Sequence, residues 1–529
     1  MKIIFKMLAV AVFTAATTGC SDFLNINTNL NAPTAVLPDA ILASALATTA
    51  GNYSGNATNY NSTTSFSAGY WTKSGVVNAF QEERTYNYTS LYYQNLWSNT
   101  YDNLNDYQLI QNQAASYPNH AAIARIMKVY NFELLVDEYG DIPYTNALKG
   151  AANTTPSYDK ADAIYKDFIV QLDGAIDDIT KASGAGIRTV GAEDIVFQGN
   201  MTKWKQFANS LKLRILLRQS QGDANLQAYA KTEIAKLRTA TDGFITTDVV
   251  AQPSYAQATG QQNPFFNRYG TTAAGTAPTE RLYQIPTNFI LSQYISNNDP
   301  RVVQLYTLGS RGPAATAVPD YVGSDLGERN PPLFTPPLVA SRFLSGGGIL
   351  KGFNAPTVLM LLSESLFSKA EAETRGLLTA APDDAAAEVD YQDGIKASFM
   401  YFYRPATIVA GTVAAATATT PGITQYNTYI NANLTNPKVK YTLAPTSGAL
   451  GKQSVIIFQK YLALNTVAST EAWADYRRSA LPVLPISLEA TTSARAVRLL
   501  YPQSEANTNA SNTPVGVTQY TKIFWDVLD

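Results

Sequence analysis

The chain has one cysteine and one histidine in 529 residues, and only 15% of its residues are charged. Each shortage removes some chemistry. A lone cysteine, Cys20, has no partner for an internal disulfide, so no disulfide framework holds the fold. A lone histidine, His120, rules out a histidine-rich zinc site and makes a Ser-His-Asp triad depend wholly on that residue. His120 follows Pro118 and Asn119 at the head of a helical pattern, which reads as a helix-start or surface position. Charge is balanced as well as scarce, with 39 basic against 41 acidic residues, where soluble domains typically carry about 25% charged residues. This excludes nucleic acid as a partner, because phosphate binding needs a basic face. Long apolar runs are also missing, and nothing approaches the roughly 20 residues that span a bilayer as a helix. Carboxylate-pair hydrolysis of glycosidic bonds needs no histidine and survives these exclusions.

Asn, Thr, Gln, Ser and Tyr take the place of charge, with 32 tyrosines in the chain. Such surfaces recognise neutral polar ligands through hydrogen bonds and ring faces. The N-terminus has the form of an export signal: Lys2 and Lys6, an apolar run from Met7 to Ala16, then Thr17-Thr18-Gly19 leading into Cys20. A small residue before a lone cysteine resembles a bacterial lipobox, with Thr17 standing where leucine is usual. The resemblance implies cleavage before Cys20 and lipid on its thiol. The expected organisation is a signal peptide over 1–19, a lipidated tether over 20–40 and one folded domain over 41–529.

Helical periodicity dominates that domain. Leu96, Trp97, Thr100, Leu104 and Tyr107 fall on one helix face together with Tyr93, and so do Ile123, Ile126, Tyr130 and Leu134 in a helix expected to stop at Gly140. Ile164, Tyr165, Phe168, Leu172, Ala175 and Ile179 form the cleanest stripe, with Ser157 before it as a candidate cap. Trp204, Phe207, Ala208, Leu211 and Ile215 form another. Stretches over 358–375, 391–403 and 472–477 also read as helices. The helices come in sequential pairs joined by short turns, so the predicted fold is all-α: a degenerate tetratricopeptide-like helical array, an α–α superhelix, in which each pair must stack on the next. Residues 51–90, 240–350 and 405–450 read as long irregular loops, the last holding the low-complexity run from Thr412 to Thr420.

Several segments resemble the SusD/RagB family of outer-membrane lipoproteins. Asp137 to Tyr144 (DEYGDIPY) is similar to its D-x-Y-G-D-I-P-Y turn, and Trp204 to Arg218 to its W-x-x-F-A-N-S-L-K-L-R-x-x-x-R helix. Glu471 to Arg478 (EAWADYRR), Tyr501 to Glu505 (YPQSE), Trp525-Asp526 and the start at Cys20 to Asn25 are similar to further family segments. The matches run in order across the mature chain. The resemblance implies a protein on the cell exterior, held in the outer membrane by lipid on Cys20. It would pass an oligosaccharide, or alternatively a peptide as in the RagB type, to a SusC-like TonB-dependent transporter. No cofactor is implied. Some relatives brace a loop with calcium, but single Asp and Asn residues in loops identify no ligand set here.

The motifs themselves read as architecture. Lys212, Arg214 and Arg218 fall off the apolar stripe of their helix, either solvated or paired with acids. Trp473 beside Asp475, Arg477 and Arg478 suits a sugar clamp or, as the plainer reading, helix packing. Ligand contacts are expected in loops instead. Residues 51–110 hold 13 aromatics in 60 positions; Trp97, Tyr101 and Tyr107 belong to a helix, whereas Tyr53, Tyr60, Phe66, Tyr70, Trp71, Tyr86 and Tyr88 precede it. Sugar rings lie against aromatic planes while their hydroxyls need polar partners. The candidate site is therefore Tyr70, Trp71 and Tyr86 with Asn78 and Arg84, and a second loop offers Phe266 and Arg268. The competing classes are a glycoside hydrolase, for which no motif pairs two acids, and a scaffold or adhesin without a soluble ligand.

Overall fold

A computed structural model of the chain describes residues 36–77, 81–182, 186–447 and 450–528. Cys20, most of the tether and Asn78 lie outside the described residues. The helices of eight residues or more begin with α1 (Pro38–Tyr53) and α2 (Tyr60–Ser67), followed by α3 (Asn95–Gln111) and α4 (Pro118–Tyr139). The next three are α5 (Ala161–Lys181), α6 (Met201–Gln219) and α7 (Ala224–Leu237). After α8 (Asn288–Ile295) come α9 (Leu362–Thr374) and α10 (Asp384–Tyr403). The last are α11 (Ile423–Ala432), α12 (Gln453–Leu464) and α13 (Ser469–Ser479). Strands among the described residues are short, the longest being Thr357–Met360.

The expected array is present. α3 packs on α4, α4 on α5, α5 on α6 and α6 on α7, and further along the chain α9 packs on α10. The stripe of α5 is buried from Ile164 to Ile179, while Val170 on the other face is 59% exposed. α4 ends at Gly140, whose φ of +73° is a conformation that costs glycine nothing. The cap of α5 differs from expectation: Ala161 N, at its head, donates to Asp141 Oδ1 at 2.9 Å, so the 137–144 turn both reverses the chain and caps the next helix. Ser157 instead accepts from Asn146 Nδ2 at 2.9 Å. His120 does start a helix, but it is buried, with Nε2 3.0 Å from Glu193 Oε1.

The expected loop over 51–90 is the main correction to the fold. Within it α2, with sequence YNSTTSFS, is a helix buried along its whole length. It packs on α13, about 400 residues away in sequence. Ser65 Oγ meets Ser469 Oγ at 2.7 Å, and Asn61 Nδ2 donates to Thr466 O at 2.6 Å. Tyr60 Oη lies 2.9 Å from Thr100 Oγ1. Small hydroxyl-bearing side chains let the two backbones approach closely, and these bonds offset the cost of desolvating them. The loop over 405–450 likewise contains α11, which packs on α10.

The recognisable motifs, hundreds of residues apart, converge on one buried cluster. Arg218 of α6 bonds to Asp137 and Glu133 of α4 and to Glu471 of α13. Arg214 donates to Glu364 Oε1 of α9 at 2.7 Å. The Arg477 guanidinium lies 5.2 Å from the Trp473 ring and 4.9 Å from the Trp525 ring, and its Nη1 donates to the carbonyls of Asp137 and Val497. Tyr501 Oη donates to Asp141 O at 2.7 Å. Arg214 and Arg218 are thus buried and paired with acids, and the Trp473–Arg477 arrangement is packing rather than a sugar clamp.

Candidate functional site

The residue types that sequence reasoning favoured fall into two environments. Trp71 has no exposed surface. Its ring is enclosed by Phe66, Tyr269 and Phe343 at centroid distances of 5.7, 5.5 and 5.3 Å, and its Nε1 donates to Thr466 Oγ1 at 2.8 Å. Tyr70 stacks on Tyr461 at 4.6 Å and donates its hydroxyl to Tyr461 O. The Tyr86 hydroxyl accepts from Ser487 N at 3.0 Å. Phe266 is buried beside a void of about 40 Å³, too small for a sugar ring. Arg84 is committed to Glu489 at 2.6 Å. The expectation that Tyr70, Trp71, Tyr86 and Phe266 present open faces is therefore corrected. The cause is a two-strand ladder, β1 (Trp71–Lys73) antiparallel to β2 (Gln284–Pro286), which pairs Trp71 with Pro286 and draws this segment inward.

The same ladder builds a cleft of about 470 Å³ on its outer side. Arg268, the remaining predicted residue, lines it, together with Tyr92, Tyr93, Tyr269, Tyr283 and Leu91. Glu82 and Glu280 add carboxylates to its wall. The Arg268 guanidinium lies 5.6 Å from the Tyr269 ring centroid, and its Nε donates to the Tyr269 hydroxyl at 3.2 Å. Tyr92 stacks on Tyr88 at 4.8 Å, and Tyr93 meets Tyr92 edge-on at 4.7 Å. Tyr93 has φ +50°, a left-handed conformation that costs energy in a non-glycine residue and that clusters at binding sites. Leu91 is 61% exposed and Tyr283 half-buried, so apolar surface here remains open to solvent.

At the inner end of the cleft, Lys73 Nζ lies 3.8 Å from Glu83 and 4.5 Å from the centre of the Phe66 ring. Burial pushes the Lys73 ammonium down and the Glu83 carboxyl up from their ordinary values, and each charge pulls the other back. The cleft thus combines rings, for the C–H faces of a sugar, with donors and acceptors of both signs for its hydroxyls. Sequence reasoning missed Tyr283, Glu280 and Leu91, and it assigned Tyr93 to a helix face. Their common signal was weak: aromatic and acidic residues in loops, with no period to rank them.

Two other clefts differ in kind. One of about 520 Å³, walled by Phe289, Phe458, Pro437, Pro482 and Val483, is mainly apolar. Another of about 390 Å³ lies between α3, α4 and α5. Among the described residues, no group of three or more His, Cys, Asp or Glu side chains is placed to hold a metal ion. No described helix is long and apolar enough to cross a membrane.

Solved structures share this architecture across nearly the whole chain. A chitin-binding protein is 22% identical, with a TM-score of 0.68 over 93% of this chain and 100% of its own. A SusD/RagB family protein from Bacteroides thetaiotaomicron is 21% identical, with a TM-score of 0.69 over 94% of this chain and 100% of its own. A chitin-binding SusD homolog from Flavobacterium johnsoniae is 20% identical, with a TM-score of 0.64 over 92% and 98%. No curated protein matches the sequence. Residues 30–502 match the SusD-like family described as "Starch-binding associating with outer membrane", and the chain belongs to that family.

Proposed function

We propose that this protein is a cell-surface lipoprotein, anchored through Cys20, that binds an oligosaccharide in the 470 Å³ cleft and delivers it to a SusC-like TonB-dependent transporter. One observation carries the ligand class: the cleft is lined by tyrosine rings together with Arg268, Glu82 and Glu280, a mixture that suits a polyhydroxylated ring. The apolar cleft at Phe289 and Phe458 has few partners for hydroxyls and suits such a ligand less well. Family membership supports binding and delivery as the role, rather than catalysis. Two structural neighbours are described as chitin-binding, which makes N-acetylglucosamine oligomers the first glycans to test, beside starch fragments.

The experiment is calorimetric titration of chito- and malto-oligosaccharides into wild type, Tyr283→Ala and Arg268→Ala. A ring platform contributes about 1 kcal/mol beyond buried area, so Tyr283→Ala is expected to weaken binding several-fold at nearly unchanged thermal stability. Affinity unaltered in both variants rules out this cleft. Binding of peptides in place of every glycan moves the reading to the RagB type, and release of reducing ends would make Glu82 and Glu280 candidates for catalysis.

A further inference from the structure

The cleft between α3, α4 and α5 shares no lining residue with the oligosaccharide cleft and carries a different charge. Lys128 of α4 is half-buried at its wall. Its Nζ donates to two neutral carbonyls, Gln108 Oε1 at 2.5 Å and Gln111 Oε1 at 2.9 Å. Among the described residues no carboxylate forms an ion pair with it. Arg125, one turn away, is held by Gln171 Oε1 at 2.7 Å and Asp178 at 3.0 Å. Lys149, an exposed residue of the 144–149 loop, adds a third cation, and Leu148 beside it has φ +59°. The acid in the lining is Asp167, whose Oδ2 accepts from both the Tyr144 hydroxyl and Gln171 Nε2. Its Oδ1 carries no such bond and remains available to a hydroxyl.

A half-buried ammonium hydrogen-bonded only to amide oxygens, in a concave space of about 390 Å³ where three cations face the single carboxylate of Asp167, leaves positive charge for an anion to neutralise. A neutral sugar would not supply one. Inorganic phosphate would, but it leaves most of the volume unfilled and the Tyr144 and Leu148 surfaces unused. We propose that this cleft is a second ligand site for a small hydroxylated carboxylate of the uronic-acid class, its carboxylate on Lys128 and Lys149 and a hydroxyl on Asp167. This is independent of the oligosaccharide reading and stands or falls without it.

The site should also respond to pH. Burial, with Arg125 adding to it, lowers Lys128 to about 8, against the pull of Asp167. The groups facing it are Arg125 on its own helix, Gln108 and Gln111 from α3, Tyr144 and Lys149 from the loop, and Asp167 from α5. A bound anion favours the charged ammonium, so affinity is full below about pH 8 and falls above it.

The test titrates sodium glucuronate, glucose and inorganic phosphate separately into the full-length protein at pH 6.5 and pH 9.5. Glucuronate is expected to bind at pH 6.5 at least tenfold more tightly than either glucose or phosphate, and at least fivefold more tightly than at pH 9.5. Lys128→Met should lose tenfold or more. Lys149→Glu changes an exposed loop residue that the fold tolerates, and it should lose a similar factor, which keeps the test valid if Lys128→Met fails to fold. Glucose or phosphate binding as tightly as glucuronate overturns the assignment, and so does an affinity that Lys149→Glu leaves unchanged.

Discussion

Trp71 shows how little a side chain's type says about its task. Indole is the best stacking partner a sugar face can have, yet here it is sealed by Phe66, Phe265, Tyr269 and Phe343 and bonded to Thr466. Removing a core tryptophan costs roughly 3–5 kcal/mol. Trp71→Ala should therefore lower the denaturant midpoint sharply, while the folded fraction keeps its glycan affinity. An unchanged midpoint with lost binding would return Trp71 to the ligand site. Tyr283 carries the opposite expectation because its side chain is only partly buried. Within the cleft Tyr92 and Tyr269 are themselves buried, so Leu91 and the partly buried Tyr93 and Tyr283 are the side chains placed to meet a ligand.

Helix α6 joins its neighbours by charge as well as by its apolar stripe. Glu133 and Asp137 of α4, Glu364 of α9 and Glu471 of α13 surround Arg214 and Arg218, so buried carboxylates outnumber the guanidiniums they share. Burial pushes Glu133 up to about 8, against Arg218 and Arg214 and with Glu471 and Asp137 adding to the rise. Burial also acts upward on Glu471, but Arg214 and Arg218 outweigh it and hold that carboxyl below its ordinary value. The sign follows from linkage. A carboxyl raised from 4.5 to about 8 in the folded state contributes stability that is complete below about pH 4.5 and lost as pH climbs through 8. Glu133→Gln mimics the protonated form, so it should melt close to wild type at pH 5 and above it at pH 9. Melting curves across that range check this, and a variant that is less stable at pH 9 would mean that Glu133 acts as a charged partner of Arg218. Replacing Arg218 by methionine should be far worse at neutral pH and above, about 3–5 kcal/mol, because it removes a guanidinium that Glu133, Asp137 and Glu471 share.

For the molecule as a whole, the proposed delivery role predicts a complex with a second, channel-forming protein. Gentle detergent extraction should recover a large β-barrel transporter in near-stoichiometric amount. Cys20→Ala should release the protein from the membrane and abolish fatty-acid labelling. Recovery of the protein alone, under conditions that preserve other outer-membrane complexes, counts against delivery to a transporter. The helical scaffold was legible beforehand because α3 to α6 each bury an apolar stripe, and a stripe is a local pattern with a period of its own. The motifs were legible too, and their meeting around Arg218 and Arg477 explains why they read as architecture. Helix α2 was not, because its burial is repaid by hydrogen bonds to α13 rather than by apolar area, and Ser, Thr and Asn show no hydrophobic period. The cleft was not legible for a related reason. Whether Trp71 or Tyr283 faces solvent depends on the β1–β2 register and on contacts hundreds of residues apart, and a linear pattern of residue types carries no record of either.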